Sequence, residues 1–318
     1  MIIITGAAGF IGSNLVKKLN SIGQKDLLLI DDINSTIKKT NVENLIYNEI
    51  IGINIFWDWI EKNKNKVKDI STIFHLGACS DTLETDLNYL HQNNVVYSQK
   101  LWAFAIKAKC KFIYASSAAT YGDGSLGFSD DINLLNKLQP LNPYGISKNN
   151  FDLWAVSQDQ CPKSWYGLKY FNVFGPGESH KGRMSSVIWH FINKIKKGEN
   201  LKLFESSHGY DSGNQMRDFI YIKDAIMMTL HFFTNSVKSG IYNIGTGQAE
   251  PFNKLGSILI EKFPDCEVEY IKFPAELKKT YQAYTCADIG KLRSSGYNES
   301  VLSLKDAIND YLENEKVK

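Results

Sequence analysis

Ile2-Ile-Ile-Thr5-Gly6-Ala-Ala-Gly9-Phe-Ile-Gly12, continuing into Ser13-Asn-Leu15-Val-Lys-Lys-Leu19, is the stretch on which the fold turns. The β-branched run Ile2–Thr5 reads as a strand. Ile11, Leu15, Leu19 and Ile22 then recur at helical spacing, and Gly23 stops the helix. Between strand and helix stand Gly6, Gly9 and Gly12. A glycine-rich turn there lets a diphosphate approach the backbone, and the helix N-terminus offers it free N–H groups and a partial positive charge. Asp31 follows Gly12 by 19 residues, at the end of the next apolar run, Leu27–Ile30. An acid in that place binds the hydroxyls of an adenosine ribose. The stretch therefore predicts a dinucleotide site. The acid favours NAD, whereas Lys38 and Lys39, a short loop away, offer the basic partner that a 2′-phosphate needs.

Outward from this unit the strand and helix patterns keep alternating. Residues 55–60 suit a helix, 72–76 a strand, 83–107 a long helix and 111–115 a further strand. Wholly apolar strands alternating with helices predict a doubly wound α/β fold of the Rossmann type, its parallel sheet covered on both faces. The pattern divides into a dinucleotide-binding domain over 1–170 and a smaller α+β substrate-binding domain over 171–318, with interleaved segments. In the second part 185–197, 223–235, 252–262 and 303–313 read as helices, and 206–215 as a polar loop.

Composition excludes several classes. In 318 residues, 43% are hydrophobic and 22% charged, which is ordinary for a globular chain and not for a disordered or coiled-coil one. A net charge of +2 gives no reason to expect nucleic acid. No apolar run approaches the roughly 18 residues of a membrane helix. Cys79, Cys110, Cys161, Cys266 and Cys286 show no CxxC spacing and read as free thiols of a reducing cytosol. With no stretch resembling a signal peptide before Ile2, the expected location is cytoplasmic. The six histidines show no paired ligand spacing, so no metal is implied. Of 36 basic residues only Arg183, Arg217 and Arg293 are arginine, whose planar fork suits bidentate binding of phosphate.

Tyr144-Gly-Ile-Ser-Lys148 follows Asn142-Pro143 at the head of a helical stretch. Residues four apart share a helix face. An ammonium beside a phenol is expected to lower the phenol's pKa from about 10 by roughly 1–3 units, making tyrosine an acid/base near neutral pH. Ser117 ends the strand upstream, and ligands of such sheets bind beyond the strands' carboxyl ends, so its hydroxyl can hold the substrate hydroxyl that Tyr144 deprotonates.

On these motifs the chain resembles the extended short-chain dehydrogenase/reductase family of nucleotide-sugar enzymes. Ala118-Ala119 stands where sugar dehydratases of that family carry acidic residues, which disfavours dehydration. Tyr170-Phe-Asn-Val-Phe-Gly-Pro176, His180-Lys181-Gly182, Leu203-Phe-Glu205, Gln215-Met-Arg217-Asp218-Phe219, Tyr281-Gln-Ala-Tyr-Thr285 and Gly77-Ala-Cys79-Ser80 are similar to the ADP-L-glycero-D-manno-heptose 6-epimerases in particular. That resemblance implies inversion of C6 of an ADP-heptose for the lipopolysaccharide inner core, through a transient ketone, usually with NADP, in a homo-oligomer such as a pentamer. It implies Tyr144 and Lys181 as paired acid/base groups, with Ser117 and Lys148 assisting. Around the cofactor it places Phe10, Ile11, Asp31, Asp32, Lys38, Leu76, Gly77, Ala78, Cys79, Ser80, Asn93, Lys148, Val173 and Lys181. Around the ADP-sugar it places Asn172, Arg183, His190, Phe204, Glu205, Ser206, Ser207, Arg217 and Tyr281. Three features depart from that pattern. Asp32 stands where asparagine is usual, Arg183 replaces a small hydroxyl residue, and the loop before Arg217 is longer. The alternative reading is another nucleotide-sugar epimerase, or a keto-sugar reductase, on the same scaffold.

Overall fold

The computed structural model describes residues 1–32 and 36–315. Along the chain the strands are β1 (Ile2–Thr5), β2 (Leu27–Ile30), β3 (Glu49–Ile51), β4 (Thr72–His75), β5 (Lys111–Ser117), β6 (Ser164–Tyr170), β7 (Asn172–Phe174), β8 (Leu201–Phe204), β9 (Met216–Arg217), β10 (Phe219–Tyr221), β11 (Gly240–Ile244), β12 (Glu250–Pro251) and β13 (Val268–Ile271). Seven of them form one sheet in the order β11-β6-β5-β4-β1-β2-β3, every neighbouring pair parallel. The seventh strand, β11, comes from beyond residue 170, so the sheet draws on both parts of the chain. The other six strands pair two by two: β7 with β10, β9 with β12, and β8 with β13.

The apolar strands are explained by burial on both faces. Ile2, Ile4, Leu27 and Leu29 face one core together with Leu15, Leu19, Ile226 and Leu230. Ile3, Leu28 and Ile30 face the other, with Phe56, Leu101, Trp102 and Phe112. Alternate residues of a strand point to opposite faces, so with both faces covered β1 and β2 are apolar along nearly their whole length.

Helix ends follow local chemistry. Asn142 Oδ1 accepts the Gly145 N–H at 2.8 Å and Pro143 occupies the first turn, which starts the helix Pro143–Val156 just ahead of Tyr144. The helix expected over 83–107 begins later, at Leu87, because Asp86 caps it by accepting from Tyr89 N. It also carries a π-helical segment, His91–Val96, before continuing as Tyr97–Ala108. Among the described residues, no helix is long and apolar enough to cross a membrane. All five cysteines are free thiols.

Candidate active site

The carboxyl ends of β1, β2, β4 and β5 open into a cavity of about 890 Å³. Its floor is the glycine turn. A Cβ on Gly12 would lie 2.1 Å from the Gly6 carbonyl oxygen, and one on Gly6 would lie 2.6 Å from Gly77 N. The strand–helix turn and the loop after β4 are thus packed as closely as bare backbone allows, and Gly9 caps the helix Phe10–Ser21 without a side chain. Asp31 is buried at the end of β2. Its Oδ2 accepts from Ala8 N at 2.8 Å, and its Oδ1 accepts from Asp32 N at 2.7 Å and from Lys38 Nζ at 2.9 Å.

The loop after β4 is anchored from beneath. Gly77 N–H donates to Thr5 Oγ1 at 3.1 Å, Thr5 Oγ1 is 2.7 Å from His75 Nδ1, and His75 Nε2 is 2.8 Å from Ser98 Oγ. Ser98 Oγ donates to the Asn94 carbonyl, so His75 Nε2 carries the ring proton and Nδ1 accepts from Thr5. Burial, with Lys148 nearby, holds the His75 pKa down to about 3, and the ring is neutral. Asn94 sits in the π-helical segment, accepts from Cys79 N at 2.8 Å and donates to the Cys79 carbonyl and to Ser147 Oγ, each at 3.0 Å. A single amide therefore ties the cofactor-side loop to the helix of Tyr144.

Ser117, Tyr144 and Lys148 line this cavity. Ser117 Oγ accepts from Ala119 N at 3.1 Å, capping the turn that follows β5, and its hydroxyl stands near the Tyr144 phenol. The serine serves as a turn residue while lining the same space as the phenol. The expected lowering of the Tyr144 pKa is corrected by the structure. Burial pushes it above its ordinary value, and only the nearby Ser117 hydroxyl acts against that. Lys148, 6% exposed, instead has its own pKa lowered to about 8 by burial, with Asp152 opposing. Sharing a helix face does not outweigh desolvation.

Lys181 reaches the cavity from the turn Ser179–Met184, which breaks at Gly182. Its Nζ stands 5.5 Å from the centre of the Phe10 ring, and burial lowers its pKa while Glu178 opposes. Glu178 is buried and fixes the turn by accepting from Gly175 N, Ser186 N, Ser186 Oγ and Tyr311 Oη.

The structure gathers most of the expected residues around this space. Gly6, Gly9, Phe10, Ile11, Gly12, Asp31, Asp32, Lys38, Leu76, Gly77, Ala78, Cys79, Ser80, Asn93, Asn172, Val173 and Arg217 all line it. Others stand apart. Lys39 is exposed on the short helix Thr36–Thr40 and does not line it. Arg183 points its Nη2 at Asp81 Oδ2, 2.6 Å away, and its side chain is two-thirds exposed. His190 packs edge-on against Trp189, with Nε2 3.4 Å from the Arg183 carbonyl. Phe204, Glu205, Ser206, Ser207 and Tyr281 lie beyond the cavity wall, in continuity with it through Arg217, whose guanidinium covers the Tyr281 ring at 4.8 Å. Phe204, Phe273, His208 and Tyr281 form one aromatic cluster there. Sequence reasoning missed His75, Asn94 and Glu178. Their signal is burial of a polar side chain, which only the folded chain displays.

The model of the NAD dependent epimerase/dehydratase family matches residues 2–245. The chain is 43% identical to the ADP-L-glycero-D-manno-heptose-6-epimerase of Fusobacterium nucleatum subsp. nucleatum, over 99% of this chain and 97% of the relative. It is 41% identical to the enzyme of that name from Brachyspira hyodysenteriae, over 98% and 97%. The chain belongs to the ADP-L-glycero-D-manno-heptose-6-epimerases, within the NAD dependent epimerase/dehydratase family. A crystal structure of the Helicobacter pylori ADP-L-glycero-D-manno-heptose-6-epimerase superposes with a TM-score of 0.81 at 29% identity, covering 100% of this chain and 96% of that one. The UDP-glucuronic acid 4-epimerase of Bacillus cereus, solved with UDP-glucuronic acid and NAD, gives 0.79 at 25% identity over 99% of both chains. The residues of this epimerase fit a nicotinamide cofactor. A cradle that a single Cβ would fill, and a buried acid at the end of β2, stand where the diphosphate and ribose of a dinucleotide dock.

Proposed function

We propose that the protein inverts C6 of an ADP-heptose, interconverting ADP-D-glycero-D-manno-heptose and its L-glycero epimer, with NADP and with Tyr144 and Lys181 as the two proton-handling groups. The observation that carries the reading is that Ser117, Tyr144, Lys148 and Lys181 line one cavity together with the dinucleotide cradle. When bound, the nicotinamide supplies a reversible hydride acceptor at the sugar carbon.

The chain's own residues do the remaining work. Tyr144, lining the cavity beside Ser117, takes the proton of the C6 hydroxyl as that carbon becomes a ketone, with Lys148 one helical turn further along the same face. C6 lies outside the pyranose ring, so the sugar can turn about its C5–C6 bond and offer the ketone's other face. Lys181, brought in from a separate loop, gives or takes the proton of the oppositely directed hydroxyl. Arg217, stacked between the Tyr281 and Phe252 rings, is placed to grip the diphosphate. Ala118 and Ala119 cannot move protons, which supports epimerisation over dehydration. Lys38, lining the cavity beside Asp31, supports a 2′-phosphate, and five free thiols support a cytosolic location.

The test is to incubate the purified protein with ADP-D-glycero-D-manno-heptose, adding no cofactor, and to separate the C6 epimers. Conversion toward a mixture of both epimers is expected. A reaction that instead consumes NAD(P)H mole for mole identifies a keto-sugar reductase. Denaturing the same preparation and identifying the released dinucleotide tests the cofactor, and NAD alone overturns the NADP assignment.

A further inference from the structure

Asp152 lies one helical turn beyond Lys148 on the helix Pro143–Val156 and has no solvent exposure. Tyr114 Oη donates to its Oδ1 at 2.9 Å. Ser116 Oγ donates to Oδ2 at 2.6 Å, and Lys169 Nζ stands 2.8 Å from that same oxygen. Lys169 is equally buried, donates to Thr120 Oγ1 at 2.6 Å and lies 5.0 Å from the centre of the Tyr121 ring. None of these groups takes part in the proton transfers above.

An ion pair this dry gains little over apolar packing, because desolvating both charges offsets their attraction. Its placement gives it another use. Ser116 precedes Ser117 at the end of β5, Lys169 is on β6, and Lys148 shares the helix face of Asp152. The cluster holds two ammonium groups and one carboxylate, an excess positive charge that a phenolate at Tyr144 would cancel. We propose that Asp152 is a positioning residue: braced by Lys169, its carboxylate is the counter-charge of Lys148 and ties the Ser117 end of β5 to the helix of Tyr144. The inference rests on the reading of Ser117, Tyr144 and Lys148 as the reacting group.

Other groups around Lys148 do not supply that charge. Tyr144 precedes it on the same helix, His75 on β4 is neutral, and burial keeps the Cys79 thiol protonated. Lys169 on β6 has the same sign as Lys148. Of these neighbours only Asp152 is a carboxylate, and it is the one paired with an ammonium, that of Lys169.

The test titrates Lys148 without substrate, by competitive acetylation with acetic anhydride between pH 6 and 10 and mass spectrometry of the peptide that contains it. In Asp152→Asn the midpoint is expected to fall by about one pH unit or more, the usual effect of an opposite charge in close range. The double variant Asp152→Asn/Lys169→Met leaves no stranded ammonium. It carries the test if the single variant does not fold, and its midpoint also falls, by less. The alkaline limb of turnover should move down with the midpoint, whereas loss of a purely structural residue lowers turnover evenly at every pH. A folded variant whose Lys148 titrates where the wild type does overturns the proposal. Absence of epimerase turnover in the wild type counts against the functional reading and leaves the labelling result standing.

Discussion

Lys38 Nζ lies 2.9 Å from Asp31 Oδ1, while Asp31 Oδ2 takes the Ala8 amide at 2.8 Å. The acid at the end of β2 is therefore committed on one side to the glycine turn and on the other to a cation. Its charge is partly compensated where a ribose 2′-substituent would sit, and a basic group stands beside it.

From this pair follows the cofactor prediction. Lys38→Ala should weaken NADP binding by roughly 10-fold or more, the worth of a charge-assisted hydrogen bond of about 1.5–3 kcal/mol. NAD binding should change little. Titrating both dinucleotides into protein stripped of cofactor measures the ratio, and equal weakening of the two would show that Lys38 serves only Asp31.

Tyr144→Phe removes one hydroxyl and leaves the half-buried ring in place. Turnover should fall by about 10²–10⁴-fold, the usual worth of one acid/base group. Bound dinucleotide should be retained, since the cradle is built from other elements. A variant within threefold (~3×) of the wild-type rate would remove Tyr144 from the chemistry.

Lys181→Met keeps the length and apolar stem that pack near Phe10 and deletes the ammonium. Epimerisation should be lost in both directions while ADP-sugar affinity stays within a few fold. If instead the rate holds and affinity falls, Lys181 is a phosphate contact and a single base serves both faces of the ketone.

His75 predicts an acid limit to stability. Burial holds its pKa at about 3 in the folded protein, against 6.5 when free. Between those values the unfolded chain binds a proton that the folded chain refuses, so unfolding is favoured as pH drops. The stabilisation from the neutral ring is complete above pH 6.5 and is lost toward pH 3, at about 1.4 kcal/mol per pH unit for one proton. Urea unfolding at several pH values between 4 and 6.5 should show this slope, and His75→Gln should flatten it by one proton's worth. An unchanged slope would assign the acid sensitivity to other groups.

What could be read from the sequence by itself was whatever depends on neighbours along the chain. Ile2–Thr5, the glycines after it and the helix Phe10–Ser21 follow from spacing, because strand alternation, a tight turn and a helical stripe are local properties. The helix placing Tyr144 and Lys148 on one face follows in the same way, from Asn142 and Pro143 at its start. Tertiary structure decided what depends on distant partners. It brought Lys181 from a turn far along the chain to the Phe10 ring, and added β11 to a sheet begun at residue 2. It turned Arg183 outward to Asp81. It also reversed the expected shift of Tyr144, because desolvation is set by the whole surrounding fold and no spacing of residues records it.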